Sequence, residues 1–177
     1  MSASLLKSQD VLLLCKLLVR KKGAQFRQID LARDLQVSQS EISAGMERLI
    51  ESHLLDLETK LPNKMMAFEF LESSVKFMFP AKIGQHTVGV PTSIYAEPLA
   101  KKIIEKGIPL VWPSAGGKVR GIGLEPIHAS APHAVQLDPK LHELLSLVDA
   151  IRSFKPGRVK EQASHFIRKI VFGSSDD

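Results

Sequence analysis

Cysteine is nearly absent from this sequence of 177 residues, in which Cys15 is the only one. A single thiol cannot form an internal disulfide, which excludes the small folds that disulfide bonds hold together. Cys15 lies within a leucine-rich stretch, and this position favours a buried core thiol over a redox sensor. We therefore expect a reducing compartment and a cytoplasmic protein.

Long hydrophobic runs are also missing. The most apolar early stretch, from Val11 to Cys15, is interrupted by Lys16, whereas a helix that spans a bilayer needs roughly 20 apolar residues. No secretory leader is recognisable at the start of the sequence. We therefore expect no membrane association.

Signatures of catalysis and of metal binding are absent as well. The sequence contains no nucleophile elbow, no Ser-His-Asp pattern and no phosphate loop of the P-loop type. His128 and His133 are five residues apart, with neither a cysteine nor a carboxylate at ligand spacing. We predict that the protein is not an enzyme and that it uses no metal and no cofactor.

The charge balance is basic but not concentrated. The chain has 24 Lys and Arg against 19 Asp and Glu, a net charge of +5. Residues 1–60 hold nine basic and eight acidic residues, a net of only +1. This balance permits nucleic-acid binding without demanding it, so affinity would depend on where the charges lie or on their doubling in a dimer.

Hydrophobic spacing predicts mostly helices, over residues 5–22, 27–35, 38–51 and 64–79 and twice more near the end, after Asp138-Pro139 and after Pro156-Gly157. Between residues 80 and 123, prolines and glycines interrupt every periodic run. There we predict a short helix over 96–106 and a hairpin of strands 110–112 and 118–124, with its turn at Gly116-Gly117.

These patterns predict a mainly α fold with a small β component. We divide it into a helix-turn-helix, winged-helix-like domain (1–61), a connecting helix (62–79) and a mixed α/β C-terminal domain (80–173) for dimerisation or for partner or effector binding. The broad apolar stripe of the first helix, and the last helix, are the candidate dimer surfaces.

The pattern that bears most directly on function is a pair of short helices joined by Gln36-Val37. Ser38 and Glu41 have the spacing of a capping box, which predicts the start of the second helix. Gln39, Ser40 and Ser43 point away from its apolar stripe and are short enough to approach base edges. These are the proportions of a helix-turn-helix.

The stretch from Phe26 to Asp56 resembles the DNA-binding core of MarR-type winged-helix regulators, in the run from Gln28 to Ser43 followed by Glu47 to Glu51 and Leu54-Leu55. The resemblance implies that Gln39, Ser40 and Ser43 read bases and that Arg48 contacts a phosphate or a base. Gln36 departs from the family at a position where a turn glycine is frequent, Ala44 stands where a basic residue is common, and no arginine-bearing wing is recognisable.

Two further groups of residues are candidates for binding. Lys21, Lys22 and Arg27 flank the helix-turn-helix and are predicted to contact phosphates, with Arg33 and Lys60 as second choices, although each is also compatible with a solvated surface charge. A partner or effector site is predicted from Lys82, His86, Thr87, Thr92, Lys118 and Arg120, in a segment that is alternatively only structural packing.

Together these features predict a sequence-specific transcriptional regulator, a repressor, that binds double-stranded DNA as a homodimer. The alternative is a protein-interaction module, such as an antitoxin or an adaptor, whose three-helix head is structural and whose partner is a toxin. The C-terminal half is similar to uncharacterised bacterial proteins that begin with a helix-turn-helix.

Overall fold

The computed structural model describes residues 5–21, 23, 25–104, 107–154 and 156–173. The helices within these ranges are α1 (Ser8–Leu18), α2 (Gln28–Leu35), α3 (Gln39–Glu51), α4 (Lys64–Glu69), α5 (Val75–Met78), α6 (Ala131–Ala134), α7 (Pro139–Ser153) and α8 (Arg158–Phe172). The strands are β1 (Ile83–Pro91), β2 (Leu110–Pro113) and β3 (Val119–Leu124). The fold is therefore mainly α with a small β component, as the hydrophobic pattern predicts.

Local capping signals set the starts of several helices. The Ser38 side chain accepts a hydrogen bond from the Glu41 amide, and Glu41 accepts one from the Ser38 amide, so the predicted capping box of α3 is confirmed. Asn63 caps α4 through the Met66 amide. Asp138 caps α7 through the Leu141 amide. These caps satisfy amides that have no partner within their own helix.

The helix predicted over 64–79 is confirmed, in a form that the sequence pattern does not reveal. A π-helical segment, Phe70–Ser74, joins α4 to α5 without a break. The wider turn brings Phe70 and Leu71 into the core together with Ala67, Phe68 and Val75. Such a π segment rotates the side chains that follow it relative to those that precede it.

The predicted hairpin between β2 and β3 is wrong. β2 and β3 pair in parallel, and each also pairs in antiparallel fashion with β1, so that the three strands close on one another. Gly89 of β1 lies where the two partners meet, opposite both Pro113 and Val119. A Cβ atom at Gly89 would collide with the backbone carbonyl of Trp112, so this crossing requires glycine.

The predicted helix over 96–106 is also wrong within the described residues. Ser93–Tyr95 and Leu99–Lys101 form two short 3₁₀ turns instead. The prolines and glycines on either side of this stretch leave too few consecutive residues for a longer α-helix.

One buried cluster contains side chains from all three predicted ranges, from Val11 in α1 to Val171 in α8. α7 is almost completely enclosed, with every residue from Leu144 to Ile151 buried. The stripe of α1 is buried as well, from Val11 to Cys15 and at Leu17, so the expectation that it faces a second subunit is wrong. The apolar side chains of α1 pack within the chain itself, against α2 and α3 on one side and α7 on the other.

Among the described residues, no helix combines the length and the apolar character that crossing a bilayer requires.

Candidate nucleic-acid interface

The turn between α2 and α3 gives the two helices their relative orientation. Gln36 adopts a left-handed conformation with φ 51°, and the Val37 amide donates to the Ala32 carbonyl at 3.0 Å. This conformation normally favours glycine, so Gln36 adopts it at a cost in backbone energy. Leu35 and Ile42 are buried on either side of the turn, and their packing holds this conformation.

The first turns of α3 present an uncovered polar edge to solvent. Gln39 and Ser40 are exposed and Ser43 is half-buried. Amides at a helix N-terminus carry a partial positive charge. The residues predicted to read bases therefore lie together at the N-terminal end of α3, where the Glu41 carboxylate offsets part of this charge.

Acidic residues restrict which part of α3 can approach DNA. Hydrogen bonds from the Ser38 amide and hydroxyl hold the Glu41 carboxylate and lower its pKa. Glu47 and Glu51 are exposed on the C-terminal half of the helix. Their charges would repel phosphates, so contact with a groove is confined to the first two turns.

Arg48 does not face solvent, so its assignment to a phosphate or a base is wrong. Its side chain is buried, with Nε donating to Asp10 Oδ2 at 2.7 Å and Nη2 to Asp10 Oδ1 at 2.8 Å. Asp10 lies in the first turn of α1 and also accepts from the Lys7 amide. Asp10 raises the pKa of the Arg48 guanidinium, which stays charged. The ion pair joins α1 to α3.

Gly45 allows this close approach of α1 to α3. A Cβ atom at Gly45 would lie 2.9 Å from Asp10 Oδ1 and 3.2 Å from Leu13 Cδ2. The first distance is shorter than real Cβ atoms show and the second is tighter than most, so a larger residue would have to displace Asp10 or Leu13 of α1. Gly45 and the Asp10–Arg48 pair therefore form one structural unit behind the exposed edge of α3.

The side chains predicted to contact phosphates differ in whether a carboxylate of the chain already pairs with them. Lys21 is exposed, with no carboxylate within ion-pair distance among the described residues. Arg27 donates to Asp30 through Nε at 2.9 Å and Nη2 at 3.2 Å, and Arg33 also contacts Asp30. Lys22 lies outside the described residues. Arg27 would have to exchange Asp30 for a phosphate, which costs little for an exposed ion pair.

A minimal hairpin occupies the place where a wing would follow. Leu55 and Pro62 form a single antiparallel bridge, and the residues between them make a turn. Asp56 accepts hydrogen bonds within this turn from the amides of Glu58 and Thr59. Lys60 stands at its end in a left-handed conformation with φ 58°.

The structure brings together only part of the predicted partner or effector site. Lys82, His86 and Thr87 line one cavity of about 770 Å³, together with Gln85 and His128. Lys82 contacts Glu125 at 3.4 Å, so its charge is partly neutralised. Lys118 and Arg120 are exposed but do not line this cavity.

Thr92 is not part of an accessible site, and its assignment to one is wrong. It is fully buried, and its hydroxyl donates to Asp149 Oδ2 at 2.7 Å. Trp112 Nε1 donates to the same oxygen at 2.6 Å, and Arg152 Nη1 donates to Asp149 Oδ1 at 2.6 Å. Burial raises the pKa of the Asp149 carboxyl, and these three donors act against that effect.

The sequence analysis did not identify Asp10 and Asp149 as buried carboxylates, although the sequence around each of them indicates burial. Asp149 stands within the apolar run Leu144–Ile151, and Asp10 directly precedes Val11-Leu12-Leu13-Leu14. A carboxylate inside such a run is costly unless a donor satisfies it. The pattern therefore indicates a buried partner without identifying it.

Cys15 is fully buried, as predicted. Burial raises the pKa of its thiol, and the charge of Asp149 raises it further. A thiolate is the reactive form of cysteine, so this thiol is a core side chain rather than a redox sensor. Among the described residues, no group of His, Cys, Asp and Glu side chains has the arrangement of a metal site.

No protein-family model matches this chain, and neither the curated proteins nor the solved structures include a match. Its function is therefore inferred from the geometry and chemistry of its own residues.

Proposed function

We propose that the chain binds double-stranded DNA in a sequence-specific manner and regulates transcription as a repressor. The observation that carries this proposal is the uncovered N-terminal edge of α3, where Gln39 and Ser40 are exposed beside a capped helix end. A short polar helix end of this kind fits the major groove, where glutamine and serine hydrogen-bond to base edges.

Phosphate contacts on either side of the groove come from Lys21 and Arg27, and Lys22 is a further candidate. The exposed Glu47 and Glu51 turn the C-terminal half of α3 away from the DNA backbone. The helix therefore enters the groove end-on rather than along its length. Affinity supplied by lysine and arginine should fall steeply as salt increases.

The helix-turn-helix belongs to a reduced winged-helix arrangement in this proposal. The hairpin closed by Leu55 and Pro62 takes the place of the wing, and Lys60 is its basic residue. A turn this short would contact a phosphate next to the groove rather than reach into the minor groove.

A homodimer completes the proposed function. The end of one helix contacts few base pairs, whereas two heads one helical turn apart read a palindromic site. With α1 buried, the remaining candidate dimer surface is α8, where Phe166 and Ile170 are half-buried and Arg168 and Lys169 exposed. Light scattering tests this part directly, and a monomeric mass at micromolar concentration would contradict it.

Selection from random duplexes tests the DNA proposal. The full chain should enrich a defined motif, and the triple variant Gln39→Ala, Ser40→Ala, Ser43→Ala should lose preference for that motif by at least tenfold. Three lost side-chain contacts, at about 1 kcal/mol or more each, account for such a loss.

The matched control variant changes three exposed polar residues outside both α3 and α8, Ser73→Ala, Lys101→Ala and Gln136→Ala. It should bind the selected duplex like the parent. Unchanged binding by the α3 triple variant, with its melting temperature preserved, would overturn the proposal.

A further inference from the structure

A second surface, which the first turn of α3 does not line, has the properties of a docking site. An open groove of about 790 Å³ lies between the end of α1, the start of α2, the 59–64 turn and the end of α8. Its apolar lining includes Leu18, Phe26, Leu61, Ile170 and Phe172. Neither Gln39 nor Ser40 nor Ser43 contributes to it.

The charged side chains of this groove are all of one sign. Arg20, Lys21, Lys60 and Lys64 line it, and no carboxylate is among the described residues that do so. No described carboxylate lies within ion-pair distance of Lys21, Lys60 or Lys64. This sign imbalance favours a negatively charged occupant.

Two of these lysines occupy positions that local stability does not favour. Lys60 adopts a left-handed conformation that suits glycine. Lys64 is the first residue of α4, where a positive charge opposes the helix dipole and where no acidic residue stands in the first turn. The local backbone therefore gives no reason for either charge.

Apolar side chains extend the surface beyond the groove itself. Leu57, Leu61 and Met65 are exposed to 66%, 52% and 66%, and Met66 to 39%, all within ten residues of chain. Contiguous exposed apolar side chains are a mark of interaction sites, including those for other proteins. Methionine is also well suited to a binding surface, since its flexible side chain adapts to a partner.

We propose that this groove and the adjoining Leu57–Met66 surface dock an amphipathic helix of a partner protein that carries carboxylates beside its apolar stripe. Such a helix would place apolar side chains at i, i+3 or i+4, and i+7 against Leu18, Phe26 and Leu61. Its flanking carboxylates would lie against Lys21, Lys60 and Lys64. The inference does not depend on the base contacts of the DNA proposal, because Gln39, Ser40 and Ser43 do not line this surface. Lys21 and Lys60 belong to both proposals.

The positions of the cations favour a helix of a partner protein over a small anion as the occupant of this groove. Lys21 follows the end of α1, Lys60 lies in the turn closed by Leu55 and Pro62, and Lys64 begins α4. A small anion would instead need donors that converge on one point. The exposed Leu57, Met65 and Met66 do not line the groove, so a small ligand inside it would leave them uncovered. A duplex would leave the apolar lining unused.

Selection of random 16-residue peptides displayed on phage, with the full chain immobilised, tests the proposal. The enriched peptides should carry a net negative charge and apolar residues at helical spacing. One enriched peptide, synthesised with a fluorescent label, should bind the full chain saturably in an anisotropy titration.

Charge reversal then locates the site. Lys60→Glu with Lys64→Glu should weaken the labelled peptide at least tenfold, and Lys60→Gln with Lys64→Gln should have a smaller effect. The control Lys118→Glu with Arg120→Glu reverses two exposed cations that do not line the groove, and it should bind like the parent. Melting temperatures confirm that each variant is folded.

Three outcomes would overturn the inference. The first is enrichment of peptides without acidic character, and the second is binding that charge reversal at Lys60 and Lys64 leaves unchanged. The third is that no peptide is enriched while the fatty acid dodecanoate, a small ligand with an apolar chain and one carboxylate, binds saturably in the groove. Peptide binding by the α3 triple alanine variant should equal that of the parent, so failure here and failure of the DNA proposal are separate results.

Discussion

Among the described residues, Asp10 and Asp149 are the buried carboxylates, and each is paired with an arginine that is itself largely buried. Asp10 of α1 receives two hydrogen bonds from Arg48 of α3, and Asp149 of α7 receives one from Arg152 in the same helix. The geometry matters because a carboxylate removed from water is costly unless donors replace its hydration. Arg48 therefore fixes the position of α3 against α1 rather than facing solvent.

Arg48→Ala should lower the free energy of unfolding by about 3–5 kcal/mol, because it leaves the Asp10 carboxylate buried without its partner. The exposed Arg33→Ala should change it by less than about 0.5 kcal/mol. Urea unfolding followed by circular dichroism measures both values. If the Arg48→Ala variant were as stable as the parent but no longer bound DNA, this result would contradict the account. It would support the direct contact of Arg48 with DNA that the sequence resemblance implied.

His128 makes stability depend on pH. Burial lowers the pKa of its imidazole below the ordinary value of 6.5, against a smaller opposite effect of Glu41. The unfolded chain therefore takes up this proton at a higher pH than the folded chain. The stability of the folded state should fall as the pH drops from 6.5 through the lowered pKa of His128.

His128→Asn should reduce that loss of stability between pH 7 and pH 5.5. Asparagine keeps an acceptor for the Ser130 amide, which donates to His128 Nδ1 at 3.3 Å, but it does not titrate. His133→Asn is the matched control, since His133 is exposed. Unfolding curves at the two pH values decide the matter, and an equal pH dependence in the parent and His128→Asn would contradict this account.

At the scale of elements, the end of α2 and the start of α3 are stabilised by different interactions. Ser38 and Glu41 begin α3 through a capping box that is readable from four residues of sequence. Gln36 ends α2 in a left-handed conformation without the glycine that normally permits it. Burial of Leu35 and Ile42 compensates for that conformation, so the turn depends on tertiary packing.

Gln36→Gly should raise the free energy of unfolding by about 0.5–1 kcal/mol, because glycine removes the left-handed strain but adds entropy to the unfolded chain. Thermal and urea unfolding measure the gain. Gln36 is exposed and its backbone bonds do not involve the side chain, so DNA binding should be retained. A lower free energy of unfolding would contradict this prediction, because it would show that the Gln36 side chain stabilises the fold by more than its left-handed conformation costs.

At the scale of the whole molecule, Asp149 connects three parts of the fold. Thr92 lies just after β1 and Trp112 in β2, whereas Arg152 also donates to the Phe79 carbonyl at the end of α5 at 2.7 Å. Lys16 adds a second link, between Asp138 at the start of α7 and Asp34 at the end of α2. The small sheet and the helix-turn-helix are thus tied to α7 by charge as well as by apolar packing.

Asp149→Ala should destabilise the protein by about 3–5 kcal/mol, because Arg152, Thr92 and Trp112 lose their common acceptor. The emission of Trp112 reports on this site, since it is the only tryptophan of the chain. Its unfolding transition should move to lower urea concentration together with the circular dichroism signal. A Trp112 transition that separates from the helical one would contradict the view that the sheet and α7 unfold together.

The sequence predicts what is local and periodic. Six of the seven predicted helices, the capping box and the buried state of Cys15 follow from spacing within a few residues and are confirmed, whereas the helix predicted over 96–106 is wrong. The parallel pairing of β2 with β3 and the partners of Asp10 and Asp149 depend on contacts far apart in sequence. Arg48 was misassigned for this reason: only the approach of α1 at Gly45 shows that a basic residue of α3 faces inward.

An NMR titration of the full chain with a selected duplex tests the central claim most directly, because it locates the contact without altering the protein. The account predicts the largest amide shifts at residues 38–43, with smaller ones near Lys21 and Arg27 and little change along α8 outside a dimer contact. Saturable binding that leaves the amides of residues 38–43 unshifted would contradict it.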